Sequence, residues 1–143
     1  MTTVVYSNGV MAADRMACEG NNKSGRMTKI FRVNGHLVGF SGAADVSMML
    51  LRWFENGANA EDWPDPHDDG MEASMLVVTP TGQVLQYERF PVPLVMEHKH
   101  HGIGSGRDFA LAALHLGLDP IKAVELACEL DAYSGGGVDS LSL

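Results

Sequence analysis

The chain has little cysteine, few basic residues and no long apolar run. Cys18 and Cys128 are the only two cysteines in 143 residues, and no C-x-x-C spacing links them. Neither a zinc site nor a disulfide framework is expected from such a pair. Lysine and arginine number 10 against 18 acidic residues, a formal net charge of -8. That balance argues against a nucleic-acid-binding face, because neutralising phosphates takes a basic surface. No stretch approaches the ~20 apolar residues that span a bilayer, so no membrane segment is expected. No basic N-terminal segment followed by an apolar run is seen, so no secretory signal is expected. The default compartment is a reducing cytoplasm. Gly102-Ile103-Gly104-Ser105-Gly106 lacks the final spacing and the acidic partner of a dinucleotide fingerprint, so nucleotide binding is rejected and no cofactor is expected.

What is present is 45% hydrophobic and 20% charged residues, the composition of a globular chain. The length suits a single domain over 1–143 with one real core. Val4–Tyr6 and Val10–Ala13 are apolar runs around Ser7-Asn8-Gly9, a hairpin signal, and their near-continuous apolar character predicts strands covered on both faces. Asp14 ends the second run, either as a hydrogen-bonded structural group or as part of a site. The polar stretch Cys18–Arg26 reads as a loop. Met27–Val33 and His36–Phe40 form a second hairpin around Asn34-Gly35. Lys29 lies inside the first of these strands, facing either solvent or a buried position. Ala43–Glu55 has apolar residues at spacings of three and four and predicts a helix. Its entry turn, Gly39-Phe40-Ser41-Gly42, is either a simple tight turn or a source of backbone N–H groups for an anion or oxyanion.

Asn56–Gly70 reads as an exposed acidic loop carrying Glu61, Asp62, Asp65, Asp68 and Asp69. Ala73–Thr79 and Val84–Arg89 form a third hairpin, with an extended connection through Phe90-Pro91-Val92-Pro93. His98 and His100 would share one face of a strand, as a metal pair or, without a partner ligand at a usual spacing, as part of a surface cluster; no metal site is assigned. Arg107–Leu116 predicts a second helix. Asp119-Pro120 caps a third, and Val138–Leu143 alternates as a last strand.

The start of the chain gives this order a chemical meaning. Threonine at position two makes the initiator methionine removable. Thr2 would then carry an attacking hydroxyl and a free amine that titrates near pH ~8, a usable base. Thr2-Thr3-Val4-Val5, Gly39-Phe40-Ser41-Gly42-Ala43-Ala44-Asp45 and Ile103-Gly104-Ser105-Gly106 resemble the proteasome β-subunit family, most of all its bacterial HslV-type branch. The resemblance runs over nearly the whole chain. It implies an α+β fold, a four-layer αββα sandwich of two antiparallel sheets between helix layers. It implies a threonine-type peptidase, with Thr2 as nucleophile and Asp14 and Lys29 as the acid–lysine pair beside it. Ser105, Asp131 and Ser134 match the polar group around the threonine amine. The oxyanion donor falls at Ser41 or Gly42, and Met27 and Phe31 are expected to line an apolar substrate pocket. A homo-oligomeric ring acting on peptides or unfolded proteins, and an ATPase unfoldase as partner, are implied with it. Asn56–Gly70 replaces the second long helix usual in the family, which bears on ring contacts. A small-molecule amidase with the same chemistry, or a non-catalytic ring-forming relative, are the alternatives.

Overall fold

A computed structural model describes residues 1–67 and 72–143. Asp68 and Asp69 of the acidic stretch lie outside the described residues. The chain opens with β1 (Val4–Ser7) and β2 (Val10–Asp14), joined at Asn8-Gly9, both at positive φ (52° and 77°). Asparagine and glycine tolerate that geometry, which matches the twist of the flanking strands. β3 (Met16–Glu19) and β4 (Asn22–Arg26) form a separate two-stranded hairpin with an irregularity between Ala17 and Cys18. The polar stretch expected as a loop is therefore largely paired. Every residue of β4 is exposed, so it carries no apolar alternation to read.

β5 (Ile30–Val33) and β6 (His36–Gly42) turn at Asn34-Gly35, also at positive φ. β5 starts at Ile30, so Met27–Lys29 precede the strand in which sequence reasoning had placed them. α1 (Ala44–Glu55), a single 3₁₀ turn (Ala60–Asp62), β7 (Ala73–Val78), β8 (Val84–Tyr87), β9 (Leu94–Met96) and β10 (His100–Ile103) follow. α2 (Arg107–His115), α3 (Pro120–Leu130) and β11 (Val138–Ser142) complete the chain. The Asp119 carboxylate caps α3 by accepting the Lys122 N–H, as its Asp-Pro start predicts.

The strands form a four-stranded sheet, β10-β1-β2-β11, and a five-stranded sheet, β5-β6-β7-β8-β9, with antiparallel pairing throughout. Alternation sends neighbouring residues of β1 to opposite faces. Val4 and Tyr6 join Met11, Ile103, Ile30, Leu76 and Val84 in a cluster drawn from both sheets. Val5 and Ala12 pack instead against Ala110, Ala113, Ala123, Val124 and Ala127 of α2 and α3. The alanines let these helices sit close to the sheet. On the five-stranded sheet, Val38, Phe40, Met75 and Val77 pack against Leu50 and Trp53 of α1. In place of a second long helix, the 3₁₀ turn is followed by Trp63, whose ring meets Trp53 edge-on at 4.7 Å. Among the described residues, no helix is long and apolar enough to cross a membrane.

Candidate active site

The same alternation that buries Val4 and Val5 on opposite faces splits Thr2 from Thr3. Thr2 falls on the side of Val4, towards the gap between the sheets, and Thr3 on the side of the helices. Two polar networks meet at these two residues.

The first is built on Asp14, which is fully buried at the end of β2. Its Oδ1 accepts from Lys29 Nζ at 2.9 Å and from the Thr3 N–H at 3.0 Å. Its Oδ2 accepts from the N–H of Gly135 at 3.0 Å and of Met16 at 3.2 Å. A buried carboxylate is tolerable only when its lone pairs are so occupied. Lys29 is itself only 5% exposed, so this is an ion pair closed off from water. The solvent-facing alternative for Lys29 is excluded by its position, and Asp14 is a structural anchor and a site neighbour at once.

Thr2 is buried, and its hydroxyl donates to the Met1 carbonyl at 2.6 Å. Lys29 Nζ donates to the same oxygen at 3.5 Å. A threonine hydroxyl and a buried ammonium thus converge on one carbonyl oxygen.

The second network surrounds the Thr2 nitrogen, which donates to Ser105 Oγ at 3.1 Å. Ser105 Oγ donates to Asp131 Oδ2 at 2.7 Å, and Ser134 Oγ to the same oxygen at 2.6 Å. Partial burial of Asp131 works against its ionisation. The hydrogen bonds from Ser134, Ser105 and the Tyr133 N–H outweigh that, so its pKa lies below the ordinary carboxylate value. Ser134 Oγ also lies 2.7 Å from Thr3 Oγ1. Thr3 is the residue sequence reasoning missed. The signal was available: with Thr2 and Thr3 on opposite faces, a second hydroxyl must fall on the helix side, where Ser134 stands.

A pocket of about 550 Å³ opens beside Thr2 and Lys29, walled by Met16, Cys18, Met27, Phe40, Ser41, Gly42 and Met48. Met27 is on the wall of this pocket. Phe31 is not: it packs with the α1-side cluster, its ring edge-on to Phe40 at 6.1 Å. The chain changes course before Ile30, where the Met27 N–H goes to the Arg15 carbonyl, so alternation cannot be carried back from β5 to Lys29. Of the turn residues, the Phe40 N–H donates to the Lys29 carbonyl and the Ala43 N–H to the Glu72 carbonyl. Amides alternate sides along a strand, so the Gly42 N–H shares the side of Phe40, beyond the residues of β5 that pair with β6.

The histidines lie elsewhere. His98 precedes β10, so it does not share a strand face with His100. His100 Nδ1 is 2.7 Å from Ser7 Oγ, and His101 is buried.

The fold is similar to that of solved proteasome-type β-subunits. The chain is similar to eukaryotic HslV from Trypanosoma brucei, with a TM-score of 0.74 at 23% identity over 98% of this chain and 97% of that one. It is equally similar to Thiobacillus denitrificans BPH in complex with epoxomicin, with a TM-score of 0.73 at 20% identity over 99% and 97%. The same BPH in a second structure gives 0.72 at 20% identity over 99% and 96%. No family model and no curated protein matches the sequence. The likeness is therefore one of fold, and it extends over the whole chain.

Proposed function

We propose that this chain is a threonine-type peptidase subunit, a single domain whose helices and sheets stack as a four-layer αββα sandwich. The nucleophile is Thr2 after loss of Met1. Thr2 Oγ attacks the carbonyl carbon of the substrate, and its proton passes to the Thr2 amine. Lys29, paired with Asp14, lowers the cost of alkoxide formation. The carbonyl oxygen becomes an oxyanion and takes the Gly42 N–H, the donor favoured over Ser41 by strand alternation. The tetrahedral species collapses to an ester as the C–N bond breaks and the leaving amine takes the proton. Water, activated by the same amine, then hydrolyses the ester and frees Thr2. Ser105, Ser134 and Asp131 orient the amine, and Met27 lines the side-chain pocket. The observation that carries this reading is the convergence of the Thr2 hydroxyl and the Lys29 ammonium on one carbonyl oxygen.

The reading includes a homo-oligomer in the cytoplasm that acts on peptides or unfolded proteins, with an ATPase unfoldase as feeding partner. A protein of this fold has been described bound to epoxomicin, which makes an epoxyketone the probe to use. Intact mass of the purified protein is expected to lack methionine and, after incubation, to gain one probe per chain. Thr2→Ala is expected to gain none. Retained methionine in the active protein, or labelling of Thr2→Ala, refutes the assignment.

The amine also sets a pH dependence. With Met1 in place, the terminal amine is held below its ordinary value of 8.0, first by burial and then by Lys29, against Asp131 and Asp14. Burial and the nearby Lys29 are expected to act in the same direction on the Thr2 amine once Met1 is lost. As a base the amine works only when neutral, so activity falls as pH drops through its pKa. The acid limb of kcat/KM is expected to have its midpoint below pH 8.0, the ordinary value of such an amine. A midpoint above that value contradicts the assigned base.

A further inference from the structure

A cavity of about 490 Å³ lies along β10, the edge strand of the four-stranded sheet. Its walls include Gln86 of β8, Met96 of β9, and Leu111 and Ala112 of α2. His98, His100, His101 and His115 also line it, four of the chain's six histidines. They do not converge on a metal position: no group of three or more His, Cys, Asp or Glu does so among the described residues. What the four share is an imidazole, the side chain that takes a proton just below neutral pH. Their surroundings offer little compensating charge. Among the described residues no carboxylate pairs with any of the four. Glu97 is exposed beside exposed Lys99. Arg107 and Asp108, at the start of α2, pair with each other at 3.6 Å. The Glu88 carboxylate, behind the Gln86 wall, accepts from Ser74 Oγ at 2.6 Å and from Gln86 Nε2. From β1 the facing residues are Tyr6 and Ser7.

His101 is the buried member, opposite Tyr6 in the β1–β10 ladder with the two ring centres 6.2 Å apart. Burial disfavours its charged form first of all. A hydrogen bond to the His98 backbone works the other way, and the charges of His98 and His100 add to the burial, so its pKa lies below the ordinary 6.5. His100, with Nδ1 2.7 Å from Ser7 Oγ, is also held down, by burial and then by Lys99, His115 and His98. β10 has no slack to absorb repulsion here: a Cβ on Gly102 would already lie 3.3 Å from Leu111 Cγ and 3.5 Å from Arg107 Cβ. The strand also leads directly to the site. Ile103 pairs with Val4, and Ser105, two residues on, accepts from the Thr2 nitrogen. We propose that this cavity is an acid-sensitive latch on the site. With its imidazoles neutral, it holds β10 between α2 and the five-stranded sheet. With them charged, β10 is pushed away and Ser105 no longer fixes the Thr2 amine. The effect on turnover rests on the peptidase reading above; the latch itself does not.

Thermal melting and epoxyketone labelling of the full chain, each at about pH 7.5 and about pH 5.5, test it. The unfolded chain protonates these imidazoles more readily than the folded one. The stability at stake is therefore present above their ordinary value of 6.5 and lost as pH falls through the lower values in the fold. His101→Gln removes the buried proton site and adds no charge. On acidification the wild type is expected to lose about 4 °C more in Tm than this variant. It is expected to lose about threefold more in labelling rate, with both losses recovered on return to the higher pH. The Thr2 amine titrates in both chains, so its own effect cancels in the comparison. Should His101→Gln fail to fold, His98→Gln combined with His115→Gln, both at exposed positions, is expected to show about half the difference. Equal acid losses in wild type and variants overturn the proposal, and a Tm difference without a labelling difference breaks its link to Thr2. A wild type that takes no epoxyketone at either pH, with the Tm difference present, sinks the peptidase reading and leaves the latch standing.

Discussion

Replacing Lys29 with alanine is expected to cost about 10³-fold in peptide turnover and about 3 kcal/mol in stability. The first loss follows from its place in the proposed mechanism, where no other described cation neighbours the Thr2 hydroxyl. The second follows from Asp14. Removing a lone ammonium from a polar cleft would leave the fold untouched. In the structure it strands a carboxylate with no access to water. Breaking a buried pair costs ~3–5 kcal/mol when the remaining charge is uncompensated. Here the N–H groups of Thr3, Met16 and Gly135 still hold the carboxylate, which puts the cost at the lower end. For a chain of this size that is a fall in Tm of roughly 10 °C. Thr2→Ala separates the two effects, since it should lose turnover as fully while melting near wild type. Lys29→Met combined with Asp14→Asn should recover only part of the stability, because no charge is then buried but the new amide NH₂ meets backbone N–H groups that the carboxylate had accepted, and should recover none of the turnover. Near-normal turnover in Lys29→Ala refutes its catalytic assignment. An unchanged Tm means that Asp14 does not depend on it.

How far the sequence could be read depended on whether a segment carried a period. α1, α2 and α3 were legible because apolar residues recur at helical spacing, and α3 also has its Asp119-Pro120 start. The hairpins at Asn8-Gly9 and Asn34-Gly35 were legible because few other dipeptides take positive φ twice. β4 was not, since its ladder is made by backbone groups alone beneath exposed polar side chains. The gathering of Asp14, Lys29, Thr2, Ser105, Asp131 and Ser134 came from the order of motifs compared with a known family. No spacing rule joins Ser105 to Asp131 or Asp14 to Lys29. Phe31 was misplaced for a physical reason: alternation holds within a ladder, and Lys29 stands before the ladder begins. Thr3 was not legible as a site residue because it carries no amine, although its hydroxyl joins Ser134 and so the network around Asp131.

Gly104→Ala is expected to be the most damaging single-methyl change near the site. Gly104 sits at φ +98°, and a Cβ there would lie 2.0 Å from the Thr2 carbonyl oxygen and 2.7 Å from its carbon. Those are backbone atoms, and they cannot swing aside. The Thr2 oxygen accepts the Gly106 N–H at 3.1 Å, and Val4 is paired with Ile103 in the sheet. Relief must therefore move Thr2 itself. Backbone strain alone costs on the order of 1–3 kcal/mol, and the displaced strand adds to it. A misplacement of about 1 Å at a reacting group costs on the order of 10²-fold in rate. The expected result is a fall of that size in the rate of epoxyketone labelling, beyond what partial unfolding explains. Gly9→Ala supplies the comparison. Gly9 is also at positive φ (+77°), but a Cβ there meets nothing within 4 Å. It should show the strain as a modest loss of Tm and label at the wild-type rate. If the two variants label alike, the close approach of Gly104 to Thr2 does not position the nucleophile, and the tight turn before α2 serves only to connect the sheet to the helix.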